Sequence, residues 1–271
     1  MNLTDALSSA RGSGRSAVVP YVMVDRGRSR ALVPTVSAFR QAGATALELG
    51  FPFSDPVADG PVLEAAAARS LSAGTTWADL LAACRDASRI LPTAVMTYAN
   101  PVWRRGLRSS LGELRAAGAS GLIVPDLSLE ESVEWRTAAS RAGLALVLLA
   151  APGASPDRID RIAKSSRGFL YLVGHYGTTG TPVAGASVDL TPLVERANAA
   201  APGLPVLIGF GIRDRASVAR ALGQGADGVV VATALEQRRA DGTRPAELGS
   251  WLRELVNVPL PRTRPAITRR Q

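Results

Sequence analysis

Eight times along the chain a short run rich in Val, Leu, Ile and Ala gives way to a longer amphipathic or Ala-rich stretch, and no other feature restricts the fold so strongly. The runs are AVVPYVM (17–23), ATALELG (44–50), TAVMTYA (93–99), GLIVPD (121–126), LALVLLA (144–150), GFLYLVG (168–174), LPVLIGF (204–210) and DGVVVAT (227–233). Most are almost wholly apolar, as parallel strands covered on both faces must be. Between them, stretches such as VPTVSAFRQAG, GPVLEAAAARSL and DRASVARALGQG place apolar residues at helical spacing and stop at or near Gly. Alternating strands and helices predict a parallel sheet with helical crossovers. An open doubly wound sheet and a closed barrel both satisfy that rule. Eight units with no GxGxxG after the first strand favour the barrel, so the expected class is α/β, a single (β/α)8 TIM barrel over 1–271 with its core at about 17–256. AGAT, AGAS and QGAD, around Gly43, Gly118 and Gly225, predict helix-to-strand turns at the barrel bottom. The segment from 258 to 271, with three prolines and four arginines, predicts a frayed basic tail.

Composition excludes several function classes. A hydrophobic share of 46% against 20% charged is far from a disordered chain. The net charge of +8 raises the question of nucleic acid, but all cations except Lys164 are arginines dispersed over helices, with no aromatic residues interleaved. A solvated surface is the expectation, with no nucleic-acid partner. Cys84, the single cysteine, excludes an internal disulfide and lies in the helical run DLLAACRDASRI, where it is expected to pack. Neither an apolar leader nor a run of ~18 apolar residues is present, which predicts a cytoplasmic protein without a membrane partner.

In a barrel, chemistry gathers at the C-terminal strand ends and the loops that follow. Few polar residues qualify. Glu48 stands inside the apolar run TALELGFPF, where an ionisable group is costly unless partnered or used. The following loop, FSDPVADGP, carries Asp55 and Asp59 between prolines; Asp59 reads equally well as a functional carboxylate or as a helix N-cap near Pro61. After strand seven, GFGIRD offers Gly209 and Gly211, and after strand eight comes Ala232-Thr233-Ala234, the region that commonly cradles phosphate in barrels. The segment 174–189, sixteen residues without helical periodicity and holding His175 and Thr179, has the length of a lid. Lys164 lies in the polar helix RIDRIAKSSRG, which excludes a Schiff-base lysine on a barrel strand; one histidine and one cysteine argue against a metal site. Cofactor-free acid–base chemistry on a phosphorylated substrate is what remains.

The segment LELGFPFSDPVADGP (47–61) resembles the signature of the tryptophan synthase α chain, and the similarity continues in MTYANP (96–101), VPDLSLEES (124–132), RGFLYLVGHYGTTG (167–180) and GFGI (209–212). The resemblance implies retro-aldol cleavage of indole-3-glycerol phosphate to indole and glyceraldehyde 3-phosphate, without a cofactor. It implies Glu48 as proton shuttle and Asp59 as the carboxylate facing the indole nitrogen. Tyr21, Met96, Leu122, Tyr171 and Phe210 are implied around the substrate, Thr179 in the lid, and Gly180, Gly209, Gly211, Ala232 and Thr233 around the phosphate. The implied partner is a pyridoxal-phosphate β subunit in an α2β2 assembly; a stand-alone lyase releasing free indole, or an idle regulatory partner, is the alternative. Three departures from the family pattern stand out: MVDRGRS (23–29) in place of a Gly-Asp-Pro-like turn, Ala232-Thr233 in place of Gly-Ser, and Ser128 in place of proline after Asp126-Leu127.

Overall fold

The computed structural model describes residues 2–174 and 188–261. In chain order the elements are α1 (Leu3–Gly12), β1 (Ala17–Met23), a 3-10 turn (Arg26–Arg28), α2 (Ser29–Ala42), β2 (Leu47–Gly50), α3 (Pro61–Ser72), α4 (Trp77–Ser88) and β3 (Thr93–Met96). They continue with α5 (Ala99–Arg105), α6 (Leu107–Ala116), β4 (Gly121–Ile123), α7 (Ser132–Ala142), β5 (Ala145–Ala150), α8 (Pro156–Ser165) and β6 (Leu170–Val173). The last are α9 (Thr191–Ala200), β7 (Val206–Gly209), α10 (Arg215–Gly223), β8 (Gly228–Val231), α11 (Thr233–Ala240) and α12 (Pro245–Val256). Each strand pairs in parallel with the next, and β8 returns to β1, closing the (β/α)8 barrel.

Side-chain alternation along each strand sorts residues into two cores. On β1 and β2, Val18, Val22, Leu47 and Leu49 pack outward against the helices. Inward, Val19, Tyr21 and Met23 meet Ala94, Val147, Phe169, Leu207 and Val230. Barrel shear shows in β1, whose residues 17–20 pair with β8 while 21–23 pair with β2. Pro20, which has no N–H to donate, stands at that change of partner. Gly43, Gly118 and Gly225 all have positive φ, at 98°, 94° and 90°, in the helix-to-strand turns expected of them. Cys84 is buried in the outer core, where burial pushes its thiol up to about 12.

The core extends beyond the expected 17–256 at both ends. Residues 3–12 form α1, whose Leu3, Leu7 and Ala10 join the barrel interior. Gly121 makes room for it: a Cβ there would stand 2.6 Å from Leu3 Cδ2. Arg11 anchors the helix, its Nε 3.1 Å from Asp227 Oδ1. At the other end Val258, expected to be frayed, is buried in the outer core, and its carbonyl accepts from Ser16 Oγ at 3.4 Å.

Candidate active site

Glu48 faces the barrel interior because the flanking Leu47 and Leu49 face out. It is 3% exposed, and its Oε2 has no hydrogen-bond partner among the described residues. Tyr21 is its neighbour across the β1–β2 ladder. Gly50, two residues on, is what lets the Tyr21 ring lie flat inside: a Cβ at Gly50 would sit 2.0 Å from the Tyr21 hydroxyl.

The loop from 51 to 60 returns a second carboxylate over the same mouth. Its turns are pinned by Val57 N–H donating to the Asp55 carbonyl (3.0 Å) and Asp59 N–H to the Pro56 carbonyl (2.9 Å). Asp59 is 3% exposed, and its Oδ1 is without a hydrogen-bond partner among the described residues. It is not a helix cap, since the N-cap of α3 is Gly60, with Pro61 opening the helix. Tyr98, just beyond β3, organises the loop. Its hydroxyl accepts from Ala58 N–H at 3.2 Å and also hydrogen-bonds Asp59, while its ring packs 5.3 Å from that of Phe53. Sequence reasoning gave Tyr98 no role, although it stands in the family-like segment MTYANP (96–101).

Glu48 and Asp59 line one cavity together with Tyr21, Met96, Tyr171, Phe210 and Ala232, five residues the resemblance points to. Leu122 does not join them. On the short strand β4 it points outward into the helical layer, and the adjacent Ile123 lines the cavity in its place, the one-residue slip that a period of two turns into an opposite face. Ala58, Leu63, Pro125 and Leu149 complete the lining and were also missed. Gly209 faces inward beneath Tyr171, where a Cβ would come 2.2 Å from the tyrosine hydroxyl. The chain then enters the left-handed region twice in succession, at Phe210 (φ 69°) and Gly211 (φ 76°). For a bulky residue such as Phe210 that conformation costs about 1–3 kcal/mol and is characteristic of functional sites. Its ring meets Tyr171 edge-on at 6.0 Å. Ala232 is the N-cap of α11 and Thr233 the first helical residue, and no side chain caps this helix. Thr179 and Gly180, with His175, lie outside the described residues.

Burial separates the two carboxyls from ordinary values. Glu48 is raised to about 8, chiefly by desolvation and further by the charge of Asp59. Asp59 is raised to about 6 by desolvation, opposed by the hydrogen bond from Tyr98, with Glu64 adding to the rise. At neutral pH the first holds its proton and the second is largely ionised. Such a split assigns an acid and an anion to one cavity. Desolvation likewise holds the Tyr21 and Tyr171 hydroxyls well above their usual range, so both stay neutral.

Each departure from the family pattern has a local account. In the turn after β1, Asp25 caps the 3-10 turn by accepting from Gly27 N–H at 2.9 Å. Ala232 has φ −112°, so no glycine is needed there. Ser128 accepts from Glu131 N–H at 3.2 Å and donates to its carboxylate at 2.7 Å, shaping the entry to α7. Nearby, Asp126 Oδ1 accepts from Ala99 N–H at 2.9 Å and ties this loop to the start of α5.

Comparison with known proteins agrees with this geometry. The family model described as Tryptophan synthase alpha chain matches residues 7–247. The tryptophan synthase alpha chain of a Picosynechococcus species is 38% identical over 250 residues, covering 91% of this chain and 93% of its own length. That of a Synechococcus species is 41% identical over 248 residues, with coverages of 89% and 91%. Among solved structures, Mycobacterium tuberculosis tryptophan synthase superposes with a TM-score of 0.85 at 33% identity, covering 96% of this chain and 98% of that one. A chain from the Pyrococcus furiosus tryptophan synthase a2b2 complex gives a TM-score of 0.78 at 31% identity, with coverages of 89% and 98%. The barrel, its paired buried carboxylates and these matches make the chain a member of the tryptophan synthase α chain family.

Proposed function

We propose that this barrel cleaves indole-3-glycerol phosphate through Glu48 and Asp59. The observation that carries the reading is that two buried carboxyls, each with an oxygen that has no hydrogen-bond partner among the described residues, face one cavity, where desolvation raises Glu48 above Asp59. Protonated Glu48 delivers its proton to indole C3, and the resulting carboxylate takes the proton of the side-chain hydroxyl as the C–C bond breaks. Indole and glyceraldehyde 3-phosphate leave, and Glu48 is again protonated. Ionised Asp59 accepts the hydrogen bond of the ring N–H and offsets the positive charge that grows on it. Tyr21, Met96 and Phe210 border the ring, and Tyr171 the side chain. The phosphate end falls to Gly209, Gly211, Ala232 and Thr233, supported by the start of α11, whose N-cap Ala232 lines the cavity and which no side chain among the described residues caps. Thr179 and Gly180 belong to the same reading as parts of a covering loop.

The direct test is indole formation by Glu48→Gln and Asp59→Asn. Each is expected to bind substrate and lose at least ~100-fold in kcat, because an amide neither shuttles a proton nor carries the charge. A Glu48→Gln enzyme retaining more than a tenth of parental turnover sinks the assignment.

A β-type subunit is the partner we assign to the mouth. The segments that follow β2, β3 and β4 expose Val57 in the 51–60 loop, Trp103 on α5 and Val133 on α7, at 71%, 56% and 57%. Trp103 is held in place by stacking on Trp135, centroids 6.3 Å apart. Asp55 and Pro56 lie in the segment that carries Asp59, and Asn100 and Pro101 in the first turn of α5.

A further inference from the structure

Beside the mouth, outside the cavity lining, five charged side chains form one network across three elements. The carboxylates are Asp25 and Glu236, with side chains 3% and 0% exposed; the guanidinia are Arg28, Arg69 and Arg239. Asp25 Oδ2 lies 3.3 Å from Arg69 Nε and 3.8 Å from Arg28 Nε. Glu236 Oε1 accepts from Met23 N–H at 2.9 Å and pairs with the Arg239 guanidinium, which reaches the Met23 carbonyl as well. Arg69 NH2, 4.0 Å from Glu236 Oε2, bridges the two carboxylates. Arg28 NH1 donates to the Arg239 carbonyl at 2.5 Å.

The network does work that strand pairing leaves undone. β8 pairs with β1 only as far as Pro20↔Val231, so the Met23 N–H lies past the end of the ladder. Glu236, in the first turn of α11, takes the place of a strand carbonyl and locks the start of that helix to the end of β1. Arg69 extends the hold to α3, whose first residue follows Asp59 by two. A carboxylate in the first turn suits the helix dipole, yet it repels any anion bound at the same helix start unless cations neutralise it.

We propose that Arg239 and Arg69, by neutralising Glu236, allow an anion to bind at the α11 N-terminus. The inference rests on the phosphate reading above. Its signature is a sign pattern. Arg239→Met leaves Glu236 short of its cation and is expected to weaken glycerol 3-phosphate binding by about tenfold, and to raise KM more than it lowers kcat. Glu236→Gln keeps an acceptor for Met23 N–H and removes the repelling charge, so it is expected to bind the probe at least as tightly as the parent. The double variant, with neither charge, is expected within about twofold of the parent. Arg69→Gln alters a side chain 35% exposed, keeps a hydrogen-bond donor for Asp25, and is expected to weaken binding severalfold. It carries the test if Arg239→Met does not fold.

Calorimetric titration of glycerol 3-phosphate into each folded variant, alongside KM and kcat for indole-3-glycerol phosphate, decides the matter. A parent that binds no glycerol 3-phosphate overturns the phosphate reading and this inference together. A parent that binds it, while folded Arg239→Met and Arg69→Gln bind equally well, overturns this inference alone and leaves the network a purely stabilising one.

Discussion

At the scale of single residues, Glu48 makes the protein less stable than its shape would permit. Its folded value of about 8 stands above the ordinary 4.5. A group raised in this way contributes stability that is complete below about pH 4.5 and is lost as pH climbs through about 8, because only the folded state pays to desolvate the charge. Glu48→Gln never ionises. Relative to the parent it is expected to gain stability across that window, by up to several kcal/mol, and to level off above it. Denaturant midpoints from pH 4 to 9 check this, and parallel curves for the two proteins would mean that Glu48 is solvated in the folded chain. The same substitution is expected to abolish turnover, so activity and stability oppose each other at one atom. Glu48 was readable as an ionisable residue in an apolar run. Tyr98, which holds Asp59 and the Ala58 N–H, was not, because its partners lie forty residues away in sequence.

At the scale of elements, α1 shows what periodicity on a short segment leaves undecided. Its apolar residues Leu3, Leu7 and Ala10 face a barrel interior that exists only after eight strands have closed. Leu3→Ala is expected to destabilise the protein by about 2–5 kcal/mol, since the side chain is fully buried and the vacated volume is walled by strands that cannot collapse. The mouth lies at the opposite end, so kcat of the folded variant should match the parent. Urea unfolding paired with kinetics checks both halves; a fall in kcat at unchanged stability would tie α1 to the chemistry. β4 teaches a similar lesson. With three residues, it lacks the length for alternation to declare its register, and the inward residue proved to be Ile123 where Leu122 was expected.

At the scale of the whole molecule, the mouth carries both the paired carboxyls to which we assign the reaction and the surface we assign to a partner. The segment 51–60 serves both, exposing Val57 while burying Asp59 two residues later. A β-type subunit covering Val57 and Trp103 is therefore expected to steady Asp59 and raise the rate of indole formation. Linkage makes the effect reciprocal, so a substrate analogue bound in the barrel should tighten β binding by the factor by which β tightens the analogue. Indole formation measured as the β subunit is titrated in, with light scattering on the mixture, tests this. A high basal rate that does not change, with no complex formed, would favour the stand-alone lyase.

Apolar runs alternating with helical stretches determined a parallel α/β sheet by themselves, because parallel strands must be covered on both faces and each crossover must supply that cover; the count of eight units without GxGxxG then favoured the closed barrel over an open sheet. Glu48 stood out in the same way, as an ionisable residue inside a strand, whereas for Asp59 the sequence left a functional carboxylate and a helix N-cap equally open. Tertiary structure alone decided the rest. The expected strand 227–233 stops at Val231, the expected strand 93–99 stops at Met96, and the chain beyond turns into α11 and α5. Propensity sees only the apolar run, whereas the ladder ends where barrel shear leaves no neighbour to pair with. The charge network joining residues 25, 69 and 236 has no trace in local sequence for the same reason: its members meet only when the barrel closes, and a buried charge is tolerable only once they have met.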